Sequence, residues 1–301
     1  MNGGRARRFW QVFETIHAVS YFHPTCLVAM DAAGTKGFWM GYFAARFAPM
    51  GPIGPEIATA ICGSFSAARP ARALPDAWAH VTPTEALGVR AASAAEAVRS
   101  IVPGVDAVAV DCSGRLDRLV GDLPTMGRPL GSANLAVGRF DDPVERLWQH
   151  TTSLREHRGD AHVALLVAAG LEGCRANVMA TAIHGWDPAM LRTSRAWTDA
   201  EWAAATDGLV AAGLLVAREP AADERVTDRP AGEAAVAVTE LGVERLGWVE
   251  DRTDTLCAES YASNAADVDA LMEDLEPVAA AIAAAEVIRY PNPIGLPPST
   301  G

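Results

Sequence analysis

The stretch that most constrains this chain runs from Leu171 to Leu246, where helical and extended signals alternate at short intervals. Leu171–His184 carries apolar residues at helical spacing, Gly185-Trp-Asp-Pro188 is a turn, and Ala189–Thr193 leaves room for one short helix. Thr198–Ala212 is a longer helical pattern with Thr198 or Asp199 at its cap and Gly213 at its end. Leu214-Leu-Val216 then begins a strand, Arg218–Ala234 is polar, and Ala235–Val238 returns as a second strand. Thr239-Glu-Leu-Gly242 opens another helix.

Helix, short helix, helix, strand, charged hairpin, strand is the winged-helix order. At the level of pattern it resembles the MarR-type regulators, most specifically in Gly213-Leu-Leu and Val238-Thr-Glu-Leu-Gly242 on either side of the charged hairpin. Nearly the whole chain also resembles an actinobacterial helix-turn-helix family. That resemblance rests on His17-Ala-Val-Ser-Tyr-Phe22, Gly37-Phe-Trp-Met-Gly-Tyr-Phe43, Arg72-Ala-Leu-Pro-Asp-Ala-Trp78, Leu154-Arg-Glu-His-Arg-Gly-Asp-Ala-His162 and the tail Tyr290-Pro-Asn-Pro-Ile-Gly-Leu-Pro297. Ala161 stands where the resemblance leads one to expect glycine, and Ile61-Cys-Gly-Ser-Phe65 departs from an aromatic-rich segment. The resemblance implies a fold and no chemistry.

At 301 residues two domains are the default. The expected fold class is mainly α, with a helical, aromatic-rich pocket domain over residues 1–140 and a winged-helix domain with a small β-hairpin wing over 141–276. The end of a C-terminal helix and a Pro-rich tail fill 277–301. Arg8–Phe22 places Trp10, Phe13, His17 and Tyr21 on one helical face, and Pro24 stops it. Gly37–Phe47 pairs Trp39 with Phe43 and Phe38 with Tyr42. Thr82–Val102 reads as an alanine-rich helix. Asp106–Cys112 alternates only weakly, and Leu116–Arg139 reads as helix followed by loop. Asp141-Asp-Pro143 starts a helix expected to reach about Glu156, after which His157-Arg-Gly-Asp-Ala-His162 interrupts the pattern and Asp160 caps a new helix, Ala161–Ala169.

The formal charge is −12. A winged-helix reader grips DNA through hydroxyl, amide or cationic side chains on its recognition helix and through phosphate contacts. Trp197-Thr-Asp-Ala-Glu-Trp202 instead offers two carboxylates and two indoles. The expected wing sets Arg218, Arg225 and Arg229 against Glu219, Asp223, Glu224, Asp228 and Glu233. Arg192 and Arg195 are the remaining cations of the two preceding helices. This surface repels a polyanion, so DNA is disfavoured as a partner. A small organic ligand and a second copy of the chain, as a homodimer, are expected instead. The five cysteines are scattered without a C-x-x-C, which predicts a reducing, cytoplasmic setting. The longest apolar run, about Ala161–Leu171, is too short for a membrane span of about 20 residues.

The chemistry-bearing constellation is His157, Asp160 and His162, the expected catalytic set, with Arg155 and Arg158 beside them to hold a carboxylate or phosphate. His17, Tyr21, His23, Trp39, Tyr42 and Arg46 are the expected ligand-binding residues, Tyr42 and Arg46 being one helical turn apart. His17, His23, His157 and His162 show no metal-ligand spacing, so no metal site is expected, and the residues name no cofactor. G-x-S-x-G, Walker A and dinucleotide fingerprints are absent. The leading expectation is a small-molecule-binding winged-helix protein, leaning toward an enzyme doing acid–base chemistry on an organic metabolite. The alternative is a ligand-responsive MarR-like transcriptional regulator.

Overall fold

The computed structural model describes residues 1–218 and 235–298. Among these residues the chain is mainly helical, with one two-stranded antiparallel sheet. Its first half holds α1 (Gly3–Phe22), α2 (Pro24–Ala32), α3 (Gly37–Phe47), α4 (Pro55–Cys62), α5 (Ala68–Ala71), α6 (Pro83–Ile101), α7 (Val105–Gly121) and α8 (Pro129–Leu135). The long α9 (Pro143–Ala168) leads to α10 (Cys174–His184), α11 (Pro188–Arg195), α12 (Asp199–Ala211), β1 (Leu215–Arg218) and β2 (Ala235–Val238), and the chain ends in α13 (Glu240–Ser260), α14 (Ala265–Ala284) and the tail.

Three apolar clusters hold these elements together. One unites Phe9, Phe13 and Ile16 of α1 with residues of α6, α7, α9, α13 and α14. The second joins Phe43 and Phe47 of α3 to Phe65, Leu74 and Leu130. The third gathers Leu191, Trp202, Leu209, Leu215 and their neighbours between α10, α11, α12 and the sheet. Two long helices tie the first cluster to the third: α9 contributes Leu154 to one and Leu166 to the other, and α13 contributes Cys257 and Val249. Residues on both sides of position 140 therefore share one core.

The helix starts follow local chemistry. Thr82 with Glu85, and Thr198 with Glu201, each form a reciprocal capping box, a motif whose cap contributes about 1 kcal/mol. Asp142 accepts from the backbone N–H groups of Val144 and Glu145, with Pro143 in the first turn, as the sequence predicts. The residues around the hairpin lock one another. Thr239 Oγ1 donates to the Gly213 carbonyl at 2.7 Å and caps α13 by accepting from Gly242 N–H. A Cβ on Gly242 would lie 2.3 Å from the Leu214 carbonyl oxygen, so the approach of α13 to β1 requires glycine. The strands pair in the register Leu215↔Val238 through Arg218↔Ala235.

Residues 106–112, where the alternation is weak, lie inside α7. Two local expectations are corrected. One is that α8 forms within the stretch expected as loop. The other concerns 157–162: α9 passes through without a break. Gly159 costs a helix interior about 1 kcal/mol relative to alanine, but α9 is enclosed by α1, α6, α7, α8 and α13. Tertiary packing outweighs that cost. Of the polar residues that interrupt the pattern, His157, Arg158 and Asp160 are buried and His162 half-buried, and all find partners on other elements. Asp160 accordingly does not start a helix of its own. Its carboxylate accepts the Gly131 backbone N–H at 2.7 Å, capping the first turn of α8 from outside, where Arg128 at the N-cap position supplies no side-chain bond. α8 can come this close because residue 131 has no side chain: a Cβ there would sit 2.8 Å from the His157 Cα. No helix among the described residues is long and apolar enough to cross a membrane.

Candidate functional site

Two cavities meet at the middle of α9. The larger, about 500 Å³, is a cleft bounded by α1, α9, the α10–α11 pair, α13 and the tail. The smaller, about 180 Å³, lies among α1, α2, α3, α6 and α9. Tyr42, Arg46 and Glu156 border both.

The wall between them is a buried ionic chain. Arg46 clamps Glu156 with two N–H groups at 3.0 and 3.1 Å and donates to the Tyr42 hydroxyl at 2.8 Å. Arg155 reaches the same Glu156 at 2.7 Å and Glu14 at 3.4 Å, and Trp10 donates to Glu14 at 3.1 Å. Burial alone pushes the Glu156 carboxyl up, but Arg155 and Arg46 overcome it and hold the group at about 2. Glu14 goes the other way, raised by burial that the single longer contact to Arg155 and the Trp10 bond do not offset. Glu156 is thus the firm counter-ion for two guanidinium groups.

Arg195, at the end of α11, is the third cation of the cleft. It is 8% exposed. It donates to the Pro293 carbonyl of the tail at 2.5 Å and lies 4.2 Å over the Phe65 ring, while its Nε has no hydrogen-bond partner. None of the carboxylates among the described residues pairs with it within 4 Å. Burial lowers its pKa, the response of a desolvated cation without a counter-ion.

The residues expected from the sequence separate into three groups. Tyr42, Arg46, Arg155, Arg158, Asp160 and His162 border the large cleft. His17 and Tyr21, with Tyr42 and Arg46 again, border the small chamber. His23, Trp39 and His157 border neither. His23 accepts from Thr25 N–H at the start of α2, and Trp39 packs edge-on against Phe65 beneath the Arg69 guanidinium. His157 is fully buried, and its Nε2–H donates to the Pro124 carbonyl at 3.0 Å. Burial and nearby Arg128 lower its pKa to about 4, so it is neutral at physiological pH.

Arg158 pairs with Asp254 of α13 at 2.7 Å and covers the Trp10 ring. His162 donates through Nδ1 to Thr253 Oγ1 at 3.3 Å, that hydroxyl being spent on the Val249 carbonyl. Burial lowers its pKa. Asp160 is raised to about 6, chiefly by burial.

Glu14, Glu156, Arg90 and Arg195 were not expected from the sequence as site residues. In the sequence Arg195 stands out only as one of two cations of its helix pair. Only its spacing from Leu191, which puts both on one helical face, signals that it points inward.

The outward face of α12 carries Asp199, Ala200, Glu201, Ala203, Ala204 and Asp207, with no cation. The two indoles expected there are turned in: Trp202 is buried, and Trp197 donates to the Ser64 carbonyl at 3.2 Å. Arg192 lies 3.3 Å from Asp199. The charges expected on the wing from Glu219 to Glu233 lie outside the described residues.

None of the curated proteins and none of the solved structures matches this chain. The model of one family, described as the helix-turn-helix family, matches residues 6–289, and the chain belongs to that family.

Proposed function

We propose that this protein binds a small organic anion in the large cleft, on a winged-helix scaffold whose α12 turns carboxylates and no cation to solvent. The observation that carries the reading is Arg195, a buried guanidinium at the cleft wall with no carboxylate among the described residues to neutralise it. Such a charge is costly to hold empty and cheap to hold against an anion. About 500 Å³ suits a metabolite-sized ligand. Of the groups expected to move protons, Asp160 and His162 border this cleft, and Asp160 titrates near the pH at which a general acid or base works best. They are the acid–base pair in an enzymatic reading, with His157 a structural residue behind them.

A DNA-binding regulator is the second reading, favoured by the family and by the order α10, α11, α12, β1, β2. It requires the acidic face of α12 to approach phosphates, against the usual electrostatics of such interfaces. The test uses 2-naphthoate as an anionic probe and a fluorescent duplex at low salt. Calorimetry is expected to show naphthoate binding that weakens at least tenfold in Arg195→Gln, as for loss of a charge-assisted hydrogen bond of about 1.5–3 kcal/mol. No naphthoate binding, together with saturable duplex binding, would put the regulator first.

A further inference from the structure

The small chamber is lined by rings, namely His17, Tyr21, Phe38, Tyr42 and Trp148, and opens past the exposed residues Leu27 and Phe38. At about 180 Å³ it exceeds the roughly 150 Å³ that admits benzene to an apolar cavity. Two of its buried side chains each keep one polar atom without a partner: Nε2 of His17 and Nε of Arg90.

The hydrogen-bond network fixes the state of His17. Thr152 Oγ1 donates its only proton to the Trp148 carbonyl at 2.9 Å, so toward His17 it can only accept. The proton of the ring therefore sits on Nδ1, which donates to Thr152 at 2.9 Å. Burial and the surrounding guanidinium groups keep the imidazole neutral, its pKa well below the usual value. Nε2 is thus a bare acceptor, 2% exposed as a residue and stacked beside Trp148. A buried acceptor left empty costs about 1–3 kcal/mol, and a ligand donor relieves it.

The charges on the lining decide which donor, and Arg90 is one of them. It is 4% exposed, and its other nitrogens reach the neutral oxygens of Ala45, Asn134 and Gln149, with no carboxylate partner among the described residues. With Arg46 beside it and the carboxylates of Asp31 and Glu156 on the same lining, the charges of the chamber balance, and a neutral hydroxyl enters without the desolvation cost that an ammonium group would carry.

We infer that the small chamber is a subsite for a phenol-sized hydroxylated aromatic ring, whose hydroxyl donates to Nε2 of His17 while the ring packs among Tyr21, Tyr42 and Trp148. The inference deepens the proposed function, since Tyr42, Arg46 and Glu156 border both spaces, and a ligand bearing a phenol and a carboxylate would use both. It stands or falls on its own probes.

Calorimetry of the full chain with phenol, anisole and benzylamine tests it. Phenol is expected to bind about tenfold more tightly than anisole, the worth of one buried hydrogen bond, and benzylamine not to bind. In His17→Phe, phenol falls to the affinity of anisole while 2-naphthoate binding and the melting temperature hold. Equal binding of phenol and anisole to the wild type overturns the assignment, as does no binding of either, or a phenol preference that survives in His17→Phe. Should the variant fail to fold, the phenol-to-anisole ratio of the wild type decides. Loss of naphthoate binding with the phenol preference intact would sink the cleft reading alone.

Discussion

The two faces of the α10–α12 unit differ in a way that composition conceals. Outward, α12 shows Asp199, Glu201 and Asp207 to solvent, where a charge costs little and water screens it. Inward, α11 buries Arg195 against Phe65 and the tail with no opposing carboxylate among the described residues. A reader of nucleic acid needs the reverse arrangement, cations outside and apolar residues within. The polarity of this scaffold points its positive charge at the cleft. The lesson is that the net charge of a helix pair says less than the side on which each charge sits.

Glu156 is the counter-ion that makes the rest of the cleft tolerable. Glu156→Gln leaves Arg46 and Arg155 facing each other without it, and urea denaturation is expected to show a loss of about 3–5 kcal/mol. A loss below about 1 kcal/mol would mean that the ionic chain is solvated and that Arg195 is no exception.

Asp160→Asn comes next, through pH. The folded carboxyl titrates near 6, above its usual 3.8. Between those values the native state binds the extra proton, so in the wild type this group's contribution to stability falls as pH rises through the window. The variant is therefore expected to gain on the order of 2 kcal/mol over wild type at pH 7, and the gain should vanish by about pH 4. A difference that stays constant across that range would show that the carboxyl is not perturbed.

Arg195→Met is expected to stabilise the ligand-free protein by about 1 kcal/mol while abolishing naphthoate binding, because a buried cation whose partners among the described residues are a carbonyl and a ring, not a carboxylate, is retained at the expense of stability. A destabilised variant that still binds would end the contrast between the faces. The smallest effect belongs outside. Asp207→Lys should change stability by less than about 0.5 kcal/mol, and duplex binding should rise only in this variant and its multiples, since charge is what bars the outer face.

What could be read from the sequence was what neighbouring residues decide among themselves. Thr198 with Glu201, Asp142 with Pro143, and the glycine and threonine on either side of the hairpin specify their elements within a few positions. Tyr42 and Arg46, one turn apart, border the same two spaces. What escaped was decided at a distance. Glu156 answers Arg46 across more than a hundred residues, and Arg195 turns toward a tail carbonyl almost as far away. The stretch 157–162 looked like a break because its polar residues lack nearby partners. Those partners lie on the segment before α8, on α8 and on α13, and a periodicity argument sees only the helix it is scanning.

The missing side chain at position 131 reaches further than packing. Because α8 can settle directly on α9, its amide is delivered to Asp160, and the proton affinity of that acid is set partly by an atom that another residue does not have. An alanine at 131 would lift the amide away and leave the carboxylate with less to stabilise its charge, so that a site facing the cleft would be retuned from its far side without any contact being altered within the cleft itself.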